Sequence, residues 1–124
     1  MARAKDPRIA RGRAAEDAAC ELLVRSGYTI VARNVRLAGA EVDVVALDGS
    51  TTVFIEVRSR SSRRHGGPLA TIGREKQARI ARVAAAYLSR QRRAVAARFD
   101  VVGVEWGEGH PVCTLIRSAF DSPF

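Results

Sequence analysis

Glu41 to Arg60, EVDVVALDGSTTVFIEVRSR, decides how the rest of the chain must fold. Two alternating apolar runs flank Asp48-Gly49, a strong short-range hairpin signal. Side chains alternate between faces along a strand, so parity assigns them. With Asp48 and Gly49 as the turn residues, Val42, Val44 and Ala46 share one face with Val53, Ile55 and Val57. The other face takes Glu41, Asp43 and Val45, opposite Phe54, Glu56 and Arg58. Three carboxylates and one guanidinium therefore gather on one side of a strand pair. Like charges opposed across strands repel, and carboxylates are rarely buried unless they are paired or hold a metal. Two readings stay open here. One is a solvent-facing hairpin with an Arg58–Glu56 ion pair. The other is an all-oxygen site for Mg²⁺ or Mn²⁺, hard cations that keep several waters.

Upstream, the pattern from Ile9–Gly12 to Ser26 is helical. Ala15, Ala18, Ala19, Leu22 and Leu23 make one apolar stripe, with Gly27 as the stop and Glu16 on the flank. Residues 1–8 are expected to fray. Tyr28 to Val35 reads as a strand, and Asn34 with Arg36 to Gly39 turns the chain into the acidic hairpin. Downstream, Ser59 to Gly73 reads as a Ser-, Gly- and Arg-rich loop leaving the carboxylate strand. It would carry Arg60, Arg63 and Arg64 toward phosphates, with His65 as a weaker candidate ligand. Arg74 to about Arg92 is a second helix. Ile80, Val83, Ala84, Tyr87 and Leu88 form its apolar face, and Lys76 and Gln77 stand at its start, where helices favour anions. Ala97 to Val104 and Val112 to Ile116 are two further strands, and Phe120 in the tail is expected to dock on the core. The element order α-β-β-β-α-β-β implies an α/β fold, a mixed sheet of four to five strands flanked by helices. The length of 124 residues suits a single domain.

The formal charge of +8 and a pI near 10.9 favour a polyanionic partner and argue against a purely acidic-surface assembly module. Cys20 and Cys113 are far apart, with no CxxC pair and no leader pattern, which fits a reducing, cytoplasmic setting. No apolar run reaches the length of a membrane span.

An acid on one strand followed by Glu-x-basic on the next resembles the PD-(D/E)XK nuclease pattern. More closely, several motifs in fixed order resemble the YraN-like family of uncharacterised proteins. They are GRAAEDAA at Gly12–Ala19, RN at Arg33-Asn34, EVDVV at Glu41–Val45, FIEVRSR at Phe54–Arg60, KQ at Lys76-Gln77, the Tyr87-Leu88 ending and RFDVV at Arg98–Val102. The resemblance covers roughly Gly12 to Phe120. It implies a restriction-endonuclease-like fold and a nucleic-acid partner, DNA more than RNA. It further implies metal-dependent phosphodiester hydrolysis with Asp43, Glu56 and Arg58 in the catalytic positions. Mg²⁺ or Mn²⁺ would be held by Asp43 and Glu56, joined by Glu41 and Glu16, with Gln77 and Lys76 in support. Two residues depart from the pattern. Ala40 stands where the family usually has Gly, which asks the backbone there to avoid positive φ. Arg58 replaces the usual Lys. Arginine stays protonated and is a poor proton acceptor, so a catalytically inactive binding module on the same scaffold is the alternative reading.

Overall fold

The computed structural model describes residues 7–60, 72–107 and 109–122. Its elements are α1 (Pro7–Arg25), β1 (Thr29–Leu37), β2 (Ala40–Asp48), β3 (Thr51–Arg60), α2 (Arg74–Leu88), β4 (Ala97–Trp106) and β5 (Pro111–Ile116). The order is the expected α-β-β-β-α-β-β, and the five strands lie side by side in sequence order. β1–β2, β2–β3 and β4–β5 are antiparallel, as short connections allow. β3 and β4 are parallel, because α2 carries the chain back across the sheet between them.

The helices cover opposite faces. Ala15, Ala19 and Leu23, spaced four apart, bring α1 onto Val44, Ala46, Val53, Ile55, Val102 and Val104. Ile80, Ala81, Val83 and Ala84 bring α2 onto Val42, Val45, Phe54 and Phe99. Phe54 meets Tyr87 edge-on at 5.6 Å, and Phe120 stacks on Phe99 at 4.8 Å, which docks the tail as expected. Helix α1 stops where Gly27 turns left-handed at φ 94°. The Gly27 and Tyr28 amides there donate to the Val24 and Leu23 carbonyls. Its start at Pro7 lies earlier than the expected 9–12. Helix α2 ends at Leu88 rather than near Arg92, since the Ser89 hydroxyl donates to the Ala86 carbonyl and closes the last turn.

Three expectations about the hairpin need correction. Asp48 pairs with Thr51, so the turn residues are Gly49 and Ser50. Gly49 has φ 61°, the positive value that a glycine-first two-residue hairpin loop requires, while Asp48 is held by Arg98. The register moves by two, so Val44 and Ala46 still share a face with Val53 and Ile55. Val42 does not join them and packs on the α2 side with Val45 and Phe54. The described β2–β3 pairing ends at Val44 opposite Ile55, and beyond it the Asp43 carboxylate takes the place of a backbone acceptor for the Val57 amide. Finally, Arg60 belongs to β3 rather than to the loop expected from Ser59 onward. Arg63, Arg64 and His65 lie outside the described residues.

The β1–β2 turn stores strain. Gly39 has φ 74°, as glycine allows, but its neighbour Ala38 has φ 55°. Left-handed backbone costs a residue with a Cβ roughly 1–2 kcal/mol. Ala38→Gly is expected to stabilise the protein by about 0.5–1 kcal/mol, after allowing for glycine's greater unfolded-state entropy. A shift of the urea midpoint to higher denaturant would show it.

Candidate metal centre

An open groove of about 700 Å³ lies between the β1–β2 turn and the start of α2. Asp43 and Glu56 are on its floor, Glu41 is on its wall, and Arg36, Lys76 and Arg79 are among its lining residues. The strand parity expected from the sequence puts Glu56 on the same side as Phe54, facing α2. Glu56 is only 4% exposed. Its partner is Lys76, whose Nζ is 2.5 Å from Glu56 Oε2. Arg58 sits further along β3 opposite Gly103 and is not among the groove's lining residues. The cation on the second acid therefore comes from the helix.

Asp43 is turned into the edge of the ladder. Its Oδ2 accepts the Val57 amide at 2.8 Å, and its carboxyl is within hydrogen-bonding reach of Glu56. Burial, reinforced by the Glu56 charge, pushes the Asp43 carboxyl up to about 8, against the pull of the Val57 amide. A folded-state value raised above the ordinary 3.8 means the folded chain holds a proton that the unfolded chain has lost. Stability therefore declines between about pH 4 and pH 8. Asp43→Asn removes that decline and keeps an acceptor for Val57. It is expected to stabilise the metal-free protein by about 1–3 kcal/mol at pH 9 and by much less at pH 5. Urea unfolding at the two pH values tests this.

Glu16 and Glu41 are gathered by Asn34. Its Nδ2 donates to Glu16 Oε2 at 3.1 Å and to Glu41 Oε2 at 3.2 Å. Arg33 pairs with Glu16, and Arg36 Nε with Glu41 Oε1 at 2.9 Å. Asn34 does this from φ 52°, a left-handed conformation that asparagine tolerates better than most residues. Glu16 is close enough to add to the rise at Asp43, though it is a minor cause. Among the described residues no three Asp, Glu, His or Cys side chains form a ready cage for a metal. Asp43 and Glu56 form the inner pair, and Glu41 and Glu16 are tied to Asn34 and the arginines. Gln77 shapes the start of α2: its Nε2 donates to the Ile72 carbonyl at 2.7 Å, which orients the turn that presents Lys76. Arg60 is paired with Glu105 across β3–β4 at 3.3 Å.

The two cysteines are free thiols, half-buried beside the α1 core, and burial pushes both up from their ordinary range. That makes them poor nucleophiles.

The sequence reading missed Asn34's part and the contact between Lys76 and Glu56. The RN pair at Arg33-Asn34 carried the signal for the first, because asparagine inside a strand run is unusual unless its backbone or amide is needed.

The model of the uncharacterised protein family UPF0102 matches residues 15–104. The chain belongs to that family. A UPF0102 protein of Symbiobacterium thermophilum is 48% identical over 111 residues, covering 88% of this chain and 94% of the relative. One of Herminiimonas arsenicoxydans is 41% identical over 117 residues, 92% and 94% of the two chains. One of Desulfosudis oleivorans is 45% identical over 112 residues, 90% and 89%. Membership agrees with the YraN-like motifs. The matched span of this UPF0102 chain contains Glu16, Asn34, Glu41, Asp43, Glu56 and Lys76. Among the described residues, no helix is long and apolar enough to cross a membrane.

Proposed function

We propose that this protein is a metal-dependent nuclease of the PD-(D/E)XK type, acting on phosphodiester bonds in DNA in preference to RNA. The observation that carries the reading is the close pairing of a half-buried Asp43 with a buried Glu56 in an open groove lined by cations. Two carboxyls so close and so desolvated repel once both are ionised, and a hard divalent cation relieves both. All the donors are oxygens, which suits Mg²⁺ or Mn²⁺. Such ions are commonly bound through one or two carboxylates, with water and substrate phosphate completing the shell. Asp43 and Glu56 would hold the ion, with Glu41 and Glu16 close behind. When bound, it supplies a more acidic water and charge stabilisation at the phosphate.

The chain's own cations have separate tasks. Lys76 and Arg79, on one wall of the groove, are placed to neutralise a phosphate, and Arg36 is on the other wall. The overall charge of +8 draws a polyanion to the surface whatever its sequence. The preference for DNA and the restriction-endonuclease-like fold rest on the motif resemblance.

Binding without turnover is the second reading. Arg58, in place of the usual Lys, favours it, because arginine does not accept a proton at neutral pH. A panel of duplex, single-stranded and branched DNA and of RNA, with Mg²⁺, Mn²⁺ or EDTA, separates the two. Cleavage that needs the metal and stops in EDTA is expected. Salt-sensitive binding with no product under any metal would replace the nuclease reading with the second. Absence of binding to every substrate at low salt would remove both.

A further inference from the structure

The contact between Lys76 and Glu56 has a consequence for any cation that enters the groove. Nζ lies at 2.5 Å from Oε2, in the space in front of that oxygen. The glutamate side chain is 5% exposed and the lysine 49%, so the ammonium covers the carboxylate from the solvent side. A cation that takes Oε2 of Glu56 as a ligand must move it.

We propose that Lys76 is a resident counter-ion that competes with the divalent cation for Glu56 and is released toward the substrate phosphate when the cation binds. This rests on the reading of Asp43 and Glu56 as the metal pair. Three observations support it. The lysine is rooted in the first turn of α2, which Gln77 fixes through the Ile72 carbonyl, so its backbone has a defined place while its four-carbon stem can swing. Half of the side chain already faces the open groove, so leaving Glu56 sacrifices little packing. Arg79, one turn further along α2, lines the same groove. A released Lys76 therefore joins a second cation where the phosphate would lie. Two carboxylates balance a divalent ion between them, and the ammonium is then surplus to the floor of the site. Lysine suits this task better than arginine, whose planar fork grips a carboxylate at two points and resists displacement.

The test is Mn²⁺ titration of the full chain by isothermal calorimetry, with the bound ion counted by electron paramagnetic resonance. Wild type is compared with Lys76→Met, Lys76→Arg and Glu56→Gln, each checked for native circular dichroism. Removing a positive charge in contact with a ligand is expected to tighten Mn²⁺ binding about tenfold in Lys76→Met. Lys76→Arg is expected to weaken it several-fold, and Glu56→Gln to remove most of it. Lys76→Met should also cleave at least about tenfold more slowly despite holding its metal better, because the released charge is missing at the phosphate. Equal or weaker Mn²⁺ binding in Lys76→Met overturns the proposal and leaves Asp43 and Glu56 as the metal pair. If Lys76→Met does not fold, Lys76→Arg decides, and binding as tight as wild type overturns the proposal. No Mn²⁺ binding in wild type or any variant overturns both this proposal and the metal reading beneath it.

Discussion

Asp43→Ala is expected to lower metal-dependent DNA cleavage by at least about 10³-fold while leaving the fold intact. The loss has two sources. The methyl group removes one of two inner carboxylates, so Glu56 alone faces the cation. It also frees the Val57 amide, which the Asp43 carboxylate accepts at 2.8 Å, and so loosens the point where β2 leaves β3. Asp43→Asn separates these effects. Its amide oxygen can still accept from Val57, but it brings no charge to the metal, so it should be as inactive as Asp43→Ala and more stable than wild type at pH 9. Initial rates on the best substrate of the panel, in Mg²⁺ and in Mn²⁺, supply the measurement. Unchanged cleavage by either variant, from preparations matched for purity, would place the chemistry elsewhere. Cleavage lost in the alanine variant but retained in the asparagine variant would reduce Asp43 to a structural acceptor.

Strand periodicity and an Asp-Gly signal are local, so the hairpin, the element order and the apolar faces of both helices were legible in the sequence. The exact turn was not. Asp48 is drawn from the turn by Arg98, a residue 50 positions away, and within this turn Gly49 is the residue with positive φ. Strict alternation failed at Val42, which packs with Val45 and Phe54 beside the point where the Asp43 side chain substitutes for a backbone carbonyl. Asp43 and Glu56 were legible as a pair because they sit on adjacent strands at fixed parity. The cation on Glu56 was not, because parity within β3 pointed to Arg58, whereas Lys76 arrives from a different element, α2. Asp100 is a polar interruption of the apolar β4 whose role was not legible, since every partner except Arg98 is distant in the chain.

That interruption leads to the largest expected loss of stability. Asp100 is fully buried. Its Oδ2 accepts the Tyr28 hydroxyl at 2.6 Å, and its Oδ1 accepts Arg98 Nε at 2.9 Å and the Ser118 amide at 3.0 Å. Arg98 Nη2 also donates to Asp48 and to the Tyr28 oxygen, and Arg117 Nε donates to that same oxygen at 3.1 Å. Burial alone would raise the Asp100 carboxyl, but the Arg98, Tyr28 and Ser118 hydrogen bonds outweigh it and hold the group below its ordinary range. A lowered folded-state value means stability that is present above the ordinary carboxylate range and lost as pH falls through the folded value. Arg98→Met leaves the carboxylate buried with its main cation gone. The expected cost is about 3–5 kcal/mol at pH 7, the range found when one partner of a buried pair is removed. For a chain of this size that is a fall in Tm of roughly 10–20 °C. The sign of the Asp100 contribution to the pH dependence should also reverse. With Arg98 absent, burial dominates at Asp100, its proton is held more tightly in the folded chain, and mild acidification should stabilise the variant more than the Asp43 contribution alone stabilises wild type. Adding Asp100→Asn should recover part of the loss, because the remaining group is neutral and can keep the Tyr28 and Ser118 contacts. Denaturant unfolding of wild type, both single variants and the double variant, between pH 4.5 and pH 8, measures the coupling directly. A strictly additive cycle would mean that Arg98 acts through Asp48 and Tyr28 alone, and that the buried charge is held by its hydrogen bonds without the guanidinium.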